Sequence, residues 1–155
     1  MTPEYRFLDR WLVPAPIERV YDTLGDVAGY GRWWTDFVIE ATGDEGEPRP
    51  GKRNRLLVKA YLPYKVRFGM EVLEAEKPRR ILSRLSGDFD GTGEWRLTET
   101  AEGTEAVLDW RPQVNKPLIR YLTPLLRPLF RSNHVWAMKR GEGQIRDYLG
   151  SGSNL

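Results

Sequence analysis

The sequence of 155 residues contains no cysteine and a single histidine, His134. Without cysteine there is neither a disulfide framework nor a thiol nucleophile. One imidazole and no thiolate exclude the usual zinc and iron–sulfur sites, which need several such ligands. The acidic residues are dispersed along the chain, whereas a carboxylate metal site needs them clustered. We therefore expect no bound metal and no cofactor.

An excess of charge of one sign is also lacking, because 24 Lys and Arg residues face 22 Asp and Glu residues, a net charge of +2. So small a charge argues against a nucleic-acid partner. Residues 1–13, MTPEYRFLDRWLV, carry charges early and include no long apolar run. That pattern is typical neither of a signal peptide nor of a membrane span, so we expect a cytoplasmic protein. No pattern indicates an oligomeric state.

The composition that remains is that of a globular protein, with 40% hydrophobic and 30% charged residues. The chain length fits one domain with its own core. We expect this domain to span residues 1–150 and to be followed by a flexible tail, 151–155.

The first third of the chain predicts a strand and two short helices. Apolar side chains alternate with polar ones over residues 4–13, as in a half-buried strand. Residues 16–25 follow with an apolar stripe at helical spacing, and Gly25 ends this helix as a C′ glycine would. A second short helix is expected over 27–34.

Six further strands are predicted, after which the chain becomes helical. The clearest strand is 64–72, where apolar and polar residues alternate strictly. The loop 43–53 is polar, and the basic run Arg49, Lys52, Arg53 and Arg55 is expected to be solvated. Prolines 117, 124 and 128 limit a continuous final helix to about Pro128 onward. The other strands are predicted over 35–42, 54–62, 80–88, 89–99 and 105–114.

This order predicts an α+β fold, a curved antiparallel sheet of about seven strands against one long helix. At this point the chain resembles the helix-grip superfamily, which includes START lipid-transfer domains and the polyketide cyclase/dehydrase branch called SRPBCC. The resemblance runs over about residues 4–149. It rests on VPAPIERVYDTLGDVAGYGRWW (13–34), GTGEWRL (91–97), GTEAVLDW (103–110) and NHVWAMKRGEGQIRDYL (133–149).

The resemblance implies a sheet wrapped around the C-terminal helix, with two short helices after the first strand. It also implies a hydrophobic cavity between sheet and helix for a lipid, isoprenoid or polyketide. It implies no particular reaction, because the superfamily includes carriers, sensors and cyclases. The sequence lacks the two-histidine, one-carboxylate iron site of the oxygenase members.

We therefore expect this protein to bind a small hydrophobic molecule. Such binding would also allow the protein to transport or sequester that molecule. The alternative is a cyclase/aromatase-type enzyme in which polar cavity residues transfer protons. The ligand-binding candidates are the inward residues of the strands and one stripe of the final helix: Trp11, Leu56, Val58, Phe68, Met70, Trp95, Trp110, His134, Met138, Gly141 and Ile145.

Two titratable residues are candidates for catalysis. His134 is interpreted either as a polar anchor or acid–base group in the cavity, or as a ring that bonds a backbone carbonyl and seals the cavity end. Asp9 falls on the apolar side of its strand, where an unpaired carboxylate is costly. It could hydrogen-bond a ligand or act as a base. It could instead turn outward at a bulge, or pair with an arginine such as Arg111.

Two features of the final segment need an explanation. Gly141 costs a helix about 1 kcal/mol relative to alanine. Either the backbone there approaches the sheet closely, or a ligand lies against it, or Gly141 and Gly143 together form a kink.

Residues 116–131 contain four cations and no acid. They predict either transient contact with a membrane surface or a kinked segment that covers the cavity mouth.

Overall fold

The computed structural model describes residues 6–62, 65–114 and 117–152, and the side chains of 114–127 and 151–152 are outside this description. The helices are α1 (Ile17–Gly25), a 3-10 helix (Val27–Arg32) and α2 (Pro117–Gly152). The strands are β1 (Phe7–Val13), β2 (Val38–Gly43), β3 (Arg53–Val58), β4 (Val66–Glu76), β5 (Arg80–Gly87), β6 (Phe89–Thr100) and β7 (Gly103–Val114).

The seven strands form one antiparallel sheet in the order β1-β7-β6-β5-β4-β3-β2. Consecutive strands pair from β2 to β7, and β1 then joins the free edge of β7. The sheet curls into a half-barrel, and α2 lies against its inner face. The predicted α+β helix-grip fold is confirmed.

The alternation of side chains along the strands determines which face of the sheet forms the core. On β4, Phe68 and Val72 are buried, whereas Arg67, which points to the opposite face, is exposed. On β7, Ala106 and Leu108 are buried in the same way. Burying these apolar side chains is the main favourable term in folding, at about 25 cal/mol per Å² of apolar surface.

Helix α1 packs into the core with the apolar stripe that the sequence predicted. Ile17, Val20, Tyr21 and Leu24 are all buried. The second short helix is a 3-10 helix, and it ends at Arg32 instead of reaching position 34. Two glycines in this segment weaken an α-helix, and a 3-10 helix is common in short connecting pieces.

Several boundaries differ from those predicted, three of them by four residues or more. β3 ends at Val58, although the Lys59 amide still donates to the Phe37 carbonyl (2.9 Å), in register with the Val38–Val58 pair. β4 continues to Glu76, which pairs with Arg80 across a tight turn, although this end of the strand is charged. α2 already begins at Pro117. Proline suits the first helical position, and each later proline removes one backbone hydrogen bond without ending this helix.

Lys52 is the clearest error in the sequence analysis, which expected it to be solvated. Its side chain is 1% exposed, and Nζ donates to the carbonyl oxygens of Gly25 (2.8 Å) and Gly46 (2.6 Å). Gly25 is the last residue of α1, so Lys52 satisfies a carbonyl that has no partner within the helix. Burial lowers the pKa of the Lys52 ammonium group.

Of the predicted tail, residues 153–155 lie outside the described part of the chain, and α2 includes the first two positions. Among the described residues, no helix combines the length and the apolar character needed to cross a membrane.

Candidate functional site

A cavity of about 210 Å³ lies between the inner face of the sheet and α2. Its wall is mostly apolar and aromatic, and all strands except β2 contribute to it. The helix borders the cavity from Phe130 to Met138. From Gly141 to Leu149 its inward residues are buried in the core instead. Among the described residues of α2, the inward ones from Phe130 to Met138 thus border the cavity, and those from Gly141 onward pack in the core.

A cluster of tryptophan rings holds that part of the helix in place. The Trp11 ring centroid lies 5.4 Å from that of Trp34 and 5.1 Å from that of Trp95. Trp34 Nε1 also donates to the Ala137 carbonyl on α2 (3.1 Å). A Cβ at Gly141 would be 2.7 Å from ring atoms of both Trp11 and Trp34. Close approach of the helix backbone, the first of our three interpretations, is therefore the reason for this glycine.

The structure brings eight of the eleven predicted binding residues together on the cavity wall: Leu56, Val58, Phe68, Met70, Trp95, Trp110, His134 and Met138. Trp11, Gly141 and Ile145 are not on the wall, which corrects their expected position. Trp11 does point inward, but Trp33 and Trp34 cover its ring. Ile145 is fully buried farther along the helix. Ligand binding by the eight wall residues stays a prediction.

Several wall residues were missed. Phe7 is one of the alternating apolar residues of the predicted strand 4–13, but it was not selected as a site residue. Tyr30 comes from the 3-10 helix, and its hydroxyl donates to the Leu24 carbonyl at the end of α1. Burial raises the pKa of the Tyr30 phenol far above its ordinary value. Ser83 is polar, and only its position between buried Ile81 and Leu85 could have indicated that it faces the cavity.

The two catalytic candidates contact each other. His134 Nε2 and Asp9 Oδ2 are 2.6 Å apart, and both side chains are mostly buried. The His134 ring also stacks on Phe7, with centroids 4.0 Å apart and planes inclined by 21°. Pairing of Asp9 with Arg111 is wrong, since Arg111 instead pairs with Asp109 on its own strand (3.1 Å). His134 lies on the cavity wall, and Asp9 lies behind it.

This pair has the arrangement of an imidazole oriented by a carboxylate. When a carboxylate accepts a hydrogen bond from one ring nitrogen, it fixes the tautomer and leaves the other nitrogen able to accept a proton. The site thus combines an apolar cavity with one potential acid–base group. Among the residues that the structure describes, no group of three or more His, Asp or Glu side chains could hold a metal ion.

Aromatic rings form one side of the cavity. Phe68, Phe89 and Trp110 pack together with centroids between 4.7 and 5.8 Å apart. Gly93 allows the Trp110 ring to lie across β6, because a Cβ at position 93 would be 2.8 Å from that ring. The inward orientation of Trp110 that the sequence predicted therefore requires a glycine at position 93 on the neighbouring strand.

Polar contacts fix α2 beside the cavity. Asn133 Oδ1 accepts a hydrogen bond from the Leu62 amide (3.0 Å), and the Tyr61 hydroxyl bonds Ser132 Oγ (2.9 Å). In the segment predicted to contact membranes, 116–131, side chains up to 127 lie outside the described residues. Leu129 is 47% exposed. Membrane contact stays a prediction.

The fold and the cavity define the class of protein, namely a curled antiparallel sheet that encloses an apolar cavity against a C-terminal helix. A family model described as polyketide cyclase / dehydrase and lipid transport matches residues 10–149. The chain therefore belongs to this family, as the resemblance in its sequence implied. A search of curated proteins found no match.

Solved structures share this fold. TTHA0849 from Thermus thermophilus is 27% identical over 96% of this chain and 99% of its own, with a TM-score of 0.71. SA2116 from Staphylococcus aureus is 10% identical over 99% of this chain and 98% of its own, with a TM-score of 0.75. The di-domain ARO/CYC protein BexL from the BE-7585A biosynthetic pathway is 18% identical over 91% of this chain and 50% of its own, with a TM-score of 0.63. At the last two identities the likeness concerns the fold alone.

Proposed function

We propose that this protein binds a small apolar molecule in the cavity between the sheet and α2. The observation that carries the proposal is the cavity itself, about 210 Å³ with a wall that is mostly apolar. An apolar cavity of about 150 Å³ already takes up benzene, so this one has room for a somewhat larger molecule. Family membership supports the same function, because the family description includes lipid transport.

Binding would be driven by removal of apolar surface from water, at about 25 cal/mol per Å² before the costs of ordering the ligand. The wall needs little reorganisation, since the helix is already held by Asn133 and by the tryptophan cluster around Gly141. Preorganisation of this kind favours affinity.

A thermal-shift screen of lipids, isoprenoids, quinones and aromatic polyketides tests this proposal. A ligand that binds the folded state raises the melting temperature by mass action. The matched control is Val58→Trp, which places a large ring in the cavity from β3. The proposal expects shifts with at least one apolar class for the wild type and none for the folded Val58→Trp variant. Equal shifts in both proteins, or none in either, would contradict it.

The second candidate is a cyclase/aromatase-type enzyme, and the hydrogen bond between His134 and Asp9 favours it. In this function the cavity orients a reactive chain while His134 moves a proton during ring closure or dehydration. BexL, which shares the fold, is a di-domain ARO/CYC protein.

Substitution separates the two functions. If the protein is an enzyme, His134→Ala and Asp9→Asn should abolish turnover of a bound polyketide substrate while its dissociation constant changes little. Similar losses of binding and of product formation would favour a binding protein that performs no chemistry.

A further inference from the structure

Ser83 places its hydroxyl in the wall of the apolar cavity. It lies on β5 between the buried residues Ile81 and Leu85, and it is 3% exposed. The cavity wall includes it. None of the side-chain hydrogen bonds found between described residues involves Ser83, and Arg80 on the same strand bonds Glu94 instead. A serine in this position contributes almost no apolar surface, so packing alone does not explain it.

Three other polar groups of the wall are engaged in hydrogen bonds. Asn54 Nδ2 donates to the carbonyl oxygens of Thr42 (3.2 Å) and Asp44 (3.0 Å). Asn133 Oδ1 accepts from the Leu62 amide, and Trp34 Nε1 donates to Ala137. Buried polar groups are nearly always paired, and leaving one unpaired costs about 1–3 kcal/mol. The Ser83 hydroxyl is therefore a group that gains a hydrogen bond when a suitable ligand enters.

The register of the sheet gives the position of Ser83 relative to His134. Ser83 pairs with Gly93, Gly93 with Trp110, and Trp110 with Phe7. Neighbouring strands lie about 4.8 Å apart, so Ser83 and Phe7 are separated by roughly 14 Å along the sheet. His134 stacks on Phe7. The hydroxyl and the imidazole thus lie toward opposite sides of the cavity.

The Trp110 ring occupies the space between these two polar groups, lying across Gly93. Flat rings stack favourably on an aromatic face of this kind. A planar ligand lying on the Trp110 side of the cavity would direct one edge toward β5, where the Ser83 hydroxyl is.

We propose that Ser83 selects a planar apolar ligand that carries a hydroxyl or carbonyl group at the edge facing β5. This inference rests on the proposed binding function and adds the chemical class of the ligand. A serine hydroxyl both donates and accepts, so it can pair with either group. A pure hydrocarbon of the same shape leaves it unpaired, and sites with a buried polar group discriminate against such analogues.

The test compares 2-naphthol with 2-methylnaphthalene, in which a methyl group replaces the hydroxyl. Calorimetric titration gives both dissociation constants for the wild type, for Ser83→Ala and for the control Ser86→Ala. Ser86 lies on the same strand, but it is exposed and outside this cavity. Ser83→Ala should weaken 2-naphthol binding about five- to tenfold and change 2-methylnaphthalene binding by less than about twofold. Ser86→Ala should affect neither.

Two results overturn the inference in different ways. If Ser83→Ala leaves the ratio of the two constants unchanged, Ser83 is not the selecting group, although binding in the cavity stands. If neither compound binds the wild type or raises its melting temperature, no planar ligand of this size enters, and the proposed function loses its support as well.

Discussion

Gly141 of α2 packs against Trp11 of β1 so closely that a Cβ at position 141 would lie 2.7 Å from the indole ring. This contact fixes where the helix meets the core. Toward its N-terminus, at Met138 and His134, the helix borders the cavity instead. The same helix therefore supplies part of the solid core and part of the cavity wall.

This contact predicts opposite effects for two glycine substitutions in α2. Gly141→Ala gains up to about 1 kcal/mol of helix propensity but forces a methyl group into two tryptophan rings, which costs more. We expect a net loss of about 1–2 kcal/mol in the free energy of unfolding. Gly143→Ala has nothing within 4 Å of the added Cβ and should stabilise the protein by about 0.5–1 kcal/mol.

Urea denaturation of both variants measures these changes. If Gly141→Ala stabilised the protein as much as Gly143→Ala, close packing would not be the reason for the glycine.

The buried Lys52 side chain should contribute to stability, although the sequence indicated an exposed residue at this position. Lys52→Met should lower the free energy of unfolding by about 2–3 kcal/mol at pH 7, because it leaves the Gly25 and Gly46 carbonyls without their donor. Arg55→Met, an exposed change on the neighbouring strand β3, should stay within about 0.5 kcal/mol of the wild type.

The Lys52 effect should also depend on pH. Burial lowers the pKa of Lys52 below its ordinary value of 10.5, so the folded protein releases this proton before the unfolded chain does. Between the folded and unfolded pKa values, rising pH therefore stabilises the wild type relative to Lys52→Met, and falling pH removes that gain. Denaturation of both proteins at pH 7 and near pH 10 measures this difference. A constant difference would show that burial does not disfavour the charged form.

The hydrogen bond between His134 and Asp9 predicts energetic coupling across the cavity end. A double-mutant cycle with His134→Ala and Asp9→Ala should give a coupling energy of about 1–2 kcal/mol at pH 7. The control cycle uses Arg6 and Asp109, whose contact is 3.3 Å and whose arginine is 60% exposed. Exposed ion pairs contribute little, so its coupling should be below about 1 kcal/mol. Additive effects of the two cavity-end substitutions would mean that the contact is not formed in solution.

Much of the fold could be predicted because its strands are amphipathic. The alternation in β4 places Phe68 and Val72 inward, and the helical stripe of α1 is likewise buried. Boundaries were less accurate where tertiary contacts decide them. β4, for example, continues to Glu76 because it pairs with β5 as far as Arg80, a partner that no local pattern reveals.

The sequence pattern identified residues that face inward, and most of the candidate site could be predicted because its wall consists of such residues. Contacts between residues far apart in the sequence could not be predicted. Such contacts decide whether an inward residue lies on the cavity wall or in the core behind it. Asp9 and His134 are 125 positions apart, so their pairing requires the assembled sheet and helix. Trp11 faces inward as expected, yet packing by Trp33 and Trp34 separates it from the cavity. Lys52 was misjudged for the same reason, since its partners lie in other segments.

The measurement that tests the central claim most directly is a crystal structure of the protein under xenon pressure. Xenon enters apolar cavities and is located by its own scattering. We predict a xenon site between Trp110 and Met138, within the space that separates the sheet from α2. An ordered α2 packed on the sheet, with no xenon between Trp110 and Met138, would contradict the existence of a space for an apolar ligand.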